Sequence, residues 1–215
     1  MSTVALRHVT LYDRVLHEIA VLAVSNQHAT NSRTPTQIDT ALVAAALDGD
    51  GDAFGRIVQL HQAAMAAQMR RFSRDQLVIE ELVHDVFVEA YTGLKNYRAD
   101  APLLHWLRRI AVRVGYRFWK QQSRLTAKTV SLSDVGERVR QFATHGESAA
   151  SAGETLGGLL EQLAPADRLV LTLIYWDGCS TAEAAELAGW SQTNVKVRAH
   201  RARKRLRNLI EESLQ

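Results

Sequence analysis

Apolar residues recur at three- and four-residue intervals through residues 38 to 124 and again from 154 to 212, and no stretch keeps the alternation of a half-buried strand. The pattern predicts an all-α chain. In "ELVHDVFVEAYTGLKNYR", Leu82, Val83, Val86, Phe87, Ala90, Tyr91 and Leu94 share one broad face that reads as core. The opposite face carries Glu81, His84, Asp85, Val88, Glu89 and Thr92, a mostly acidic strip around an exposed valine. Further on, Pro102 at a first-turn position after Asp100 starts a helix whose buried arc is Leu103, Trp106, Leu107, Ile110, Ala111, Val114 and Phe118. Trp106 reads as core rather than as a stacking platform, and Trp119 projects to the far side. Near the C-terminus, Val195, Ala199, Ala202, Leu206 and Leu209 form one narrow apolar seam.

Breaks in the periodicity divide the chain. Residues 1–37 end in the loop-like "SNQHATNSRTPTQ" after a possible helix around Leu11 to Val24, and the sequence gives this extension no role. Residues 125–153 are rich in Ser, Ala, Gly and Thr and read as a flexible linker, with a short helix possible around Val135 to Phe142. Two small helical domains result, 38–124 and 154–215.

The second domain announces its turn. In "CSTAEAAELAGW", Ser180 and Glu183 make a capping box and Gly189 reverses the chain; Ser191 then caps the next helix. Helix, tight turn, helix is the DNA-binding plan in which the second helix enters the major groove by its N-terminal residues.

Charge sharpens that reading. The formal net charge is only +3, so its distribution decides more than its sum. Seven Lys and Arg side chains fall within residues 191–207 with no acid among them, whereas 154–190 holds six acids and one base. A basic run alone is as readily a solvated amphipathic helix; the capping box, the glycine turn and the missing acids favour nucleic acid. Ser191, Gln192, Thr193, Asn194, Lys196 and Arg198 are placed for base edges or phosphates, and Arg201, Arg203 and Arg205 for phosphates. A second acid-free run spans 104–124: Arg109, Arg113, Arg117, Lys120 and Arg124 form a stripe with Tyr116 beside it. Cations for phosphates next to a flat ring for unstacked bases suit single-stranded DNA.

No phosphate-cradling glycine loop, nucleophile elbow or HExxH pair is present, so neither an enzyme nor a cofactor is expected. Dispersed histidines and the single Cys179 offer no metal cluster and no internal disulfide. Without a bilayer-length apolar segment or a signal-peptide pattern the protein reads as cytoplasmic.

Together the two blocks resemble bacterial RNA polymerase sigma factors of the extracytoplasmic-function (ECF) type in the sigma-70 family. "ELVHDVFVEAY" is similar to the family's core-binding helix, "LLHWLRRIAVRV" to its melting helix, and "LLEQLAPADRLVLTLIYWDGCSTAEAAELAGWSQTNVKVRAHRARKRLR" to its carboxy-terminal helix-turn-helix. The resemblance implies a region 2 domain over 38–124 and a region 4 domain over 154–215. It implies that Glu80, Glu81, His84, Asp85 and Glu89 meet the clamp helices of the polymerase β′ subunit, with the β flap a further contact. The loop Asn96, Tyr97, Arg98 to Pro102 would hold a flipped base of the minus-ten element. Arg109, Arg113, Tyr116, Arg117 and Lys120 would follow the non-template strand, while the second domain reads the minus-thirty-five element. An anti-sigma protein is an implied regulator.

Several positions depart from the family pattern. Val78 replaces an acid, His84 stands where Gln is common, Arg113 and Arg117 replace frequent Asn and Asp, and Asn194 replaces a usual Thr. Polymerase affinity and minus-ten preference are therefore expected to differ from better-known members. The alternative is a helix-turn-helix regulator that binds operator DNA without polymerase.

Overall fold

The computed structural model describes residues 37–129 and 157–213, with side chains over 37–126 and 157–213. The helices expected around 11–24 and 135–142 lie outside the described residues. Every regular element described is helical: α1 (Gln37–Leu47), α2 (Gly51–Met69), α3 (Gln76–Gly93), a 3-10 turn (Leu94–Asn96), α4 (Leu103–Thr129), α5 (Pro165–Leu171), a π-helical turn (Thr172–Trp176), α6 (Thr181–Ala188) and α7 (Gln192–Ser213). They form two compact units, the first built around 37–119 and the second mainly around 157–185 and 190–213.

Local chemistry sets the helix ends in the first unit. Gly49 takes φ 97°, which lets α1 turn directly into α2. The Asp50 carboxylate then accepts from the amides of Asp52 (2.9 Å) and Ala53 (3.2 Å). Asp75 does the same for α3 through the amide of Leu77 at 2.9 Å. Each such cap contributes about 1 kcal/mol by satisfying amides that the first helical turn leaves bare. At α4 the expected proline position is one residue early: Pro102 precedes the helix, and its carbonyl accepts from His105 and Trp106.

Ile57, Met65 and Met69 of α2, Leu82, Val86 and Phe87 of α3, and Leu103, Leu107, Ile110 and Val114 of α4 interlock as the core. Two aromatic placements differ from the sequence reading. Tyr91, expected in the core, is 60% exposed and meets Phe54 edge-on, with centroids 4.9 Å apart. Trp119, expected on the far side, is buried at 4% exposure; its indole nitrogen donates to the carbonyl of Phe72 at 3.0 Å and the two rings lie 4.5 Å apart. Val112, Gly115 and Trp119 give α4 a second buried seam beside the predicted arc. The first arc packs as expected except at Trp106 and Phe118, which are half-buried.

In the second unit α7 packs along α5. Its predicted seam of Val195, Ala199, Ala202, Leu206 and Leu209 is buried in full, against a core that includes Leu163 and Leu171. Glu183 accepts from the amide of Ser180 at 2.8 Å while the Ser180 hydroxyl accepts from the amide of Glu183 at 3.2 Å, so the capping box is closed. Gly189 has φ 70° and Ser191 Oγ accepts from the amide of Asn194 at 3.2 Å, completing helix, turn, helix.

Candidate polymerase and nucleic-acid interfaces

On the outer face of α3, Glu80, Glu81, His84 and Asp85 are all exposed, and Gln76 donates to Glu80 at 2.7 Å. Glu89 stands apart from them. It is half-buried and ion-paired with Arg117 of α4. Leu77 is 76% exposed and Val88 47% exposed, and with Glu81 and His84 they follow i, i+4, i+7, i+11 spacing along one row. The result is an acidic strip with apolar residues set into it, a surface suited to a partner helix. Leu77 escaped the sequence reading because it sits in the first turn, ahead of the residues that define the face.

Between the 3-10 turn and α4 lies a cavity of about 410 Å³ lined by Asn96, Tyr97, Arg98, Asp100, Ala101, His105, Trp106, Arg109, Ile110 and Arg113. Its loop is locally braced. The Tyr97 hydroxyl donates to the carbonyl of Ala101 at 2.7 Å, Ala99 takes the left-handed φ of 57°, and the Tyr97 and Trp106 rings lie 5.5 Å apart at 52°. Burial, aided by the carboxylates of Asp39 and Asp100, pushes the Tyr97 phenol above its usual range, so it remains a donor. Two aromatic rings beside three guanidinium groups can take a flat base and the phosphate attached to it. Trp106 is thus a wall of this cavity, not core alone. Asp100 lines it as part of the expected loop, and His105 is a further lining residue that the sequence reading did not single out.

Beyond the cavity, Arg113, Arg117, Lys120 and Arg124 are exposed along α4 as predicted, with Tyr116 half-buried beside them.

On α7 the predicted residues separate into two groups. Ser191, Gln192, Thr193, Lys196, Arg201 and Arg205 are exposed; Gln192 also donates to Thr181 Oγ1 at 3.0 Å, and Arg205 pairs with Glu212 at 3.8 Å. Arg198 is held on three sides, by Asn194 Oδ1 at 3.0 Å, by Asp167 Oδ1 at 3.1 Å and by the Trp190 ring at 5.3 Å. Arg203 donates to the Tyr175 hydroxyl at 2.7 Å. These two guanidinium groups support the packing of α7 on the helices behind it. Val197 and His200, which the sequence reading passed over, are exposed on the outer face.

Comparison with known proteins fits both units. The sequence model of "Sigma-70 region 2" matches residues 57–125 and that of "Sigma-70, region 4" matches residues 154–206. The RNA polymerase sigma factor NccH of Alcaligenes xylosoxydans xylosoxydans is 31% identical over 188 residues, covering 84% of this chain and 98% of NccH. The chain belongs to the sigma-70 family.

Within that family it is an ECF sigma factor. The ECF RNA polymerase sigma-E factor of Haemophilus influenzae is 28% identical over 186 residues, covering 80% of this chain and 95% of that protein. A solved structure of CnrH in complex with the cytosolic domain of CnrY aligns with a TM-score of 0.52 at 26% identity, over 82% of this chain and 99% of that one. A sigma factor directs RNA polymerase to particular promoters. An operator-binding regulator independent of polymerase gains no support from these relatives. Among the described residues of this sigma factor, no helix is long and apolar enough to cross a membrane.

Proposed function

We propose that this sigma factor docks on core RNA polymerase through the strip Glu80, Glu81, His84 and Asp85 together with Leu77 and Val88, and works in the cytoplasm without catalytic chemistry of its own. Exposed carboxylates steer the basic face of a coiled-coil clamp, and the exposed leucine and valine supply the desolvated centre of the contact. The second unit anchors on minus-thirty-five duplex by Gln192, Thr193, Lys196, Arg201 and the phosphate-facing bases farther along α7. The cavity at Tyr97 and Trp106 takes an unstacked minus-ten base, and Arg113, Tyr116, Arg117 and Lys120 guide the strand that carries it. Capturing such bases offsets the cost of opening the duplex, at about 1–3 kcal/mol per stacked base, so no nucleotide hydrolysis is required.

The observation that carries this reading is the cavity itself, in which aromatic walls and three arginines meet on the same unit as the acidic strip. CnrH is bound to the cytosolic domain of CnrY in its solved structure; by analogy, an anti-sigma protein covers some of these surfaces when the factor is off duty. Mobility shifts on promoter DNA test the assignment. Specific retardation is expected only when core polymerase is present, and strong specific binding by the isolated chain would contradict it.

A further inference from the structure

Behind the cavity lies a buried polar pair. Asp39, in the first turn of α1, has its Oδ1 3.0 Å from Nε2 of His61 on α2, with side-chain exposures of 8% and 12%. A carboxylate so withdrawn from water is costly unless its lone pairs are satisfied, so the pair demands a defined geometry. Helix α1 packs on α2 and also on the turn Leu94–Asn96 that opens the cavity loop. The Asp39 charge reaches the next residue, Tyr97, and helps keep its phenol protonated. Tyr97 in turn closes the loop onto Ala101 and faces Trp106 across the cavity wall. Asp39 also lies outside the stretch 57–125 that matches region 2.

We propose that Asp39 and His61 are positioning residues for base capture: their hydrogen bond fixes the register of α1 on α2, and that register sets where the loop from Leu94 to Ala101 presents the Tyr97 ring. This rests on the reading of the cavity as a nucleotide site. An apolar pair of similar volume would hold the two helices together at least as well. What a directed hydrogen bond adds is a single alignment, and the cavity wall inherits it.

Reconstituted holoenzyme containing the full chain provides the test. Open-complex formation is read by permanganate reactivity on the factor's own mapped promoter, intact or with single non-template minus-ten nucleotides replaced in turn by an abasic residue. For the unaltered protein, one abasic position is expected to lower opening roughly tenfold, on the scale of one lost stacking contact. Asp39→Ala and His61→Ala are expected to lose roughly threefold to tenfold on the intact promoter, on the scale of a hydrogen bond to a charged group, and to match the unaltered protein on that abasic template. His61→Gln, whose amide nitrogen can stand where Nε2 stood, is expected to stay within about twofold.

Equal losses on intact and abasic templates would show that the pair acts only through general stability, and would overturn the inference. If the unaltered protein proves indifferent to every abasic position, the cavity reading fails and the inference falls with it. Should Asp39→Ala not fold, the two His61 variants carry the same comparison.

Discussion

Arg117 of α4 is ion-paired with Glu89 of α3. The contact joins the basic stripe of α4 to the acidic strip of α3, so the two surfaces share a border at Glu89. At 60% exposure of the Arg117 side chain, solvent screens the pair and its net worth is about 0–1 kcal/mol. Glu89→Gln is therefore expected to leave thermal stability and holoenzyme assembly unchanged while strengthening holoenzyme binding to a fluorescent non-template oligonucleotide by up to about fivefold. Weakened assembly would return Glu89 to the polymerase face.

Asp85 belongs to the open part of the strip, with no neighbour that its reversal would strand in the core. Asp85→Arg is expected to abolish co-elution with core polymerase on gel filtration and to keep the circular dichroism spectrum and melting temperature of the parent. Normal assembly by this variant would remove the strip from the interface.

Gly115 is where α4 meets the Phe72 ring. A Cβ at that position would stand 2.5 Å from several Phe72 ring atoms, and the ring is already buried and packed at a tilt against Trp119. Gly115→Ala is expected to lower stability by about 1–3 kcal/mol through overpacking. Trp119→Phe removes the donor to the Phe72 carbonyl and is expected to cost about 1–3 kcal/mol. Urea unfolding of both variants measures this, and unchanged midpoints would contradict the packing described.

The helix seams and caps of the second unit were legible because each is a short-range matter. Ser180, Glu183, Gly189 and Ser191 act on amides within a few residues, and the seam from Val195 to Leu209 is set by helical period alone. Tertiary partners were not legible. Trp119 looked misplaced because the backbone carbonyl it reaches belongs to Phe72, 47 positions away. Arg198 looked like a groove-reading side chain because Asp167, 31 positions away, gives no local sign that it will meet it. Trp106 lay on the edge of the predicted arc, where period cannot distinguish core from cavity wall; the loop from Asn96 to Ala101 decides the matter by leaving a space there. The Asp39 and His61 pair escaped for the same reason, since a buried hydrogen bond between neighbouring helices has no sequence spacing of its own.

Lys196 and Arg198 lie two positions apart on α7 yet should respond differently. Lys196 is exposed, so Lys196→Ala is expected to weaken minus-thirty-five anchoring by about 1–3 kcal/mol if it contacts a base, less if only a phosphate, with the melting temperature unchanged. Arg198→Ala is expected to lower stability as well, because it leaves the Asp167 carboxylate without that partner. Asp167→Asn separates the roles: it should soften the fold without weakening DNA contacts. Footprinting of holoenzyme beside thermal melts of the free protein records both effects, and equal melting temperatures for all three variants would overturn the distinction.

Transcription reconstituted from purified core polymerase and genomic DNA, with start sites mapped in the presence and absence of this protein, tests the central claim most directly. A set of discrete starts that appears only when the protein is added, each preceded by a shared pair of upstream elements, is the predicted result. An identical set of starts with and without the protein would contradict it.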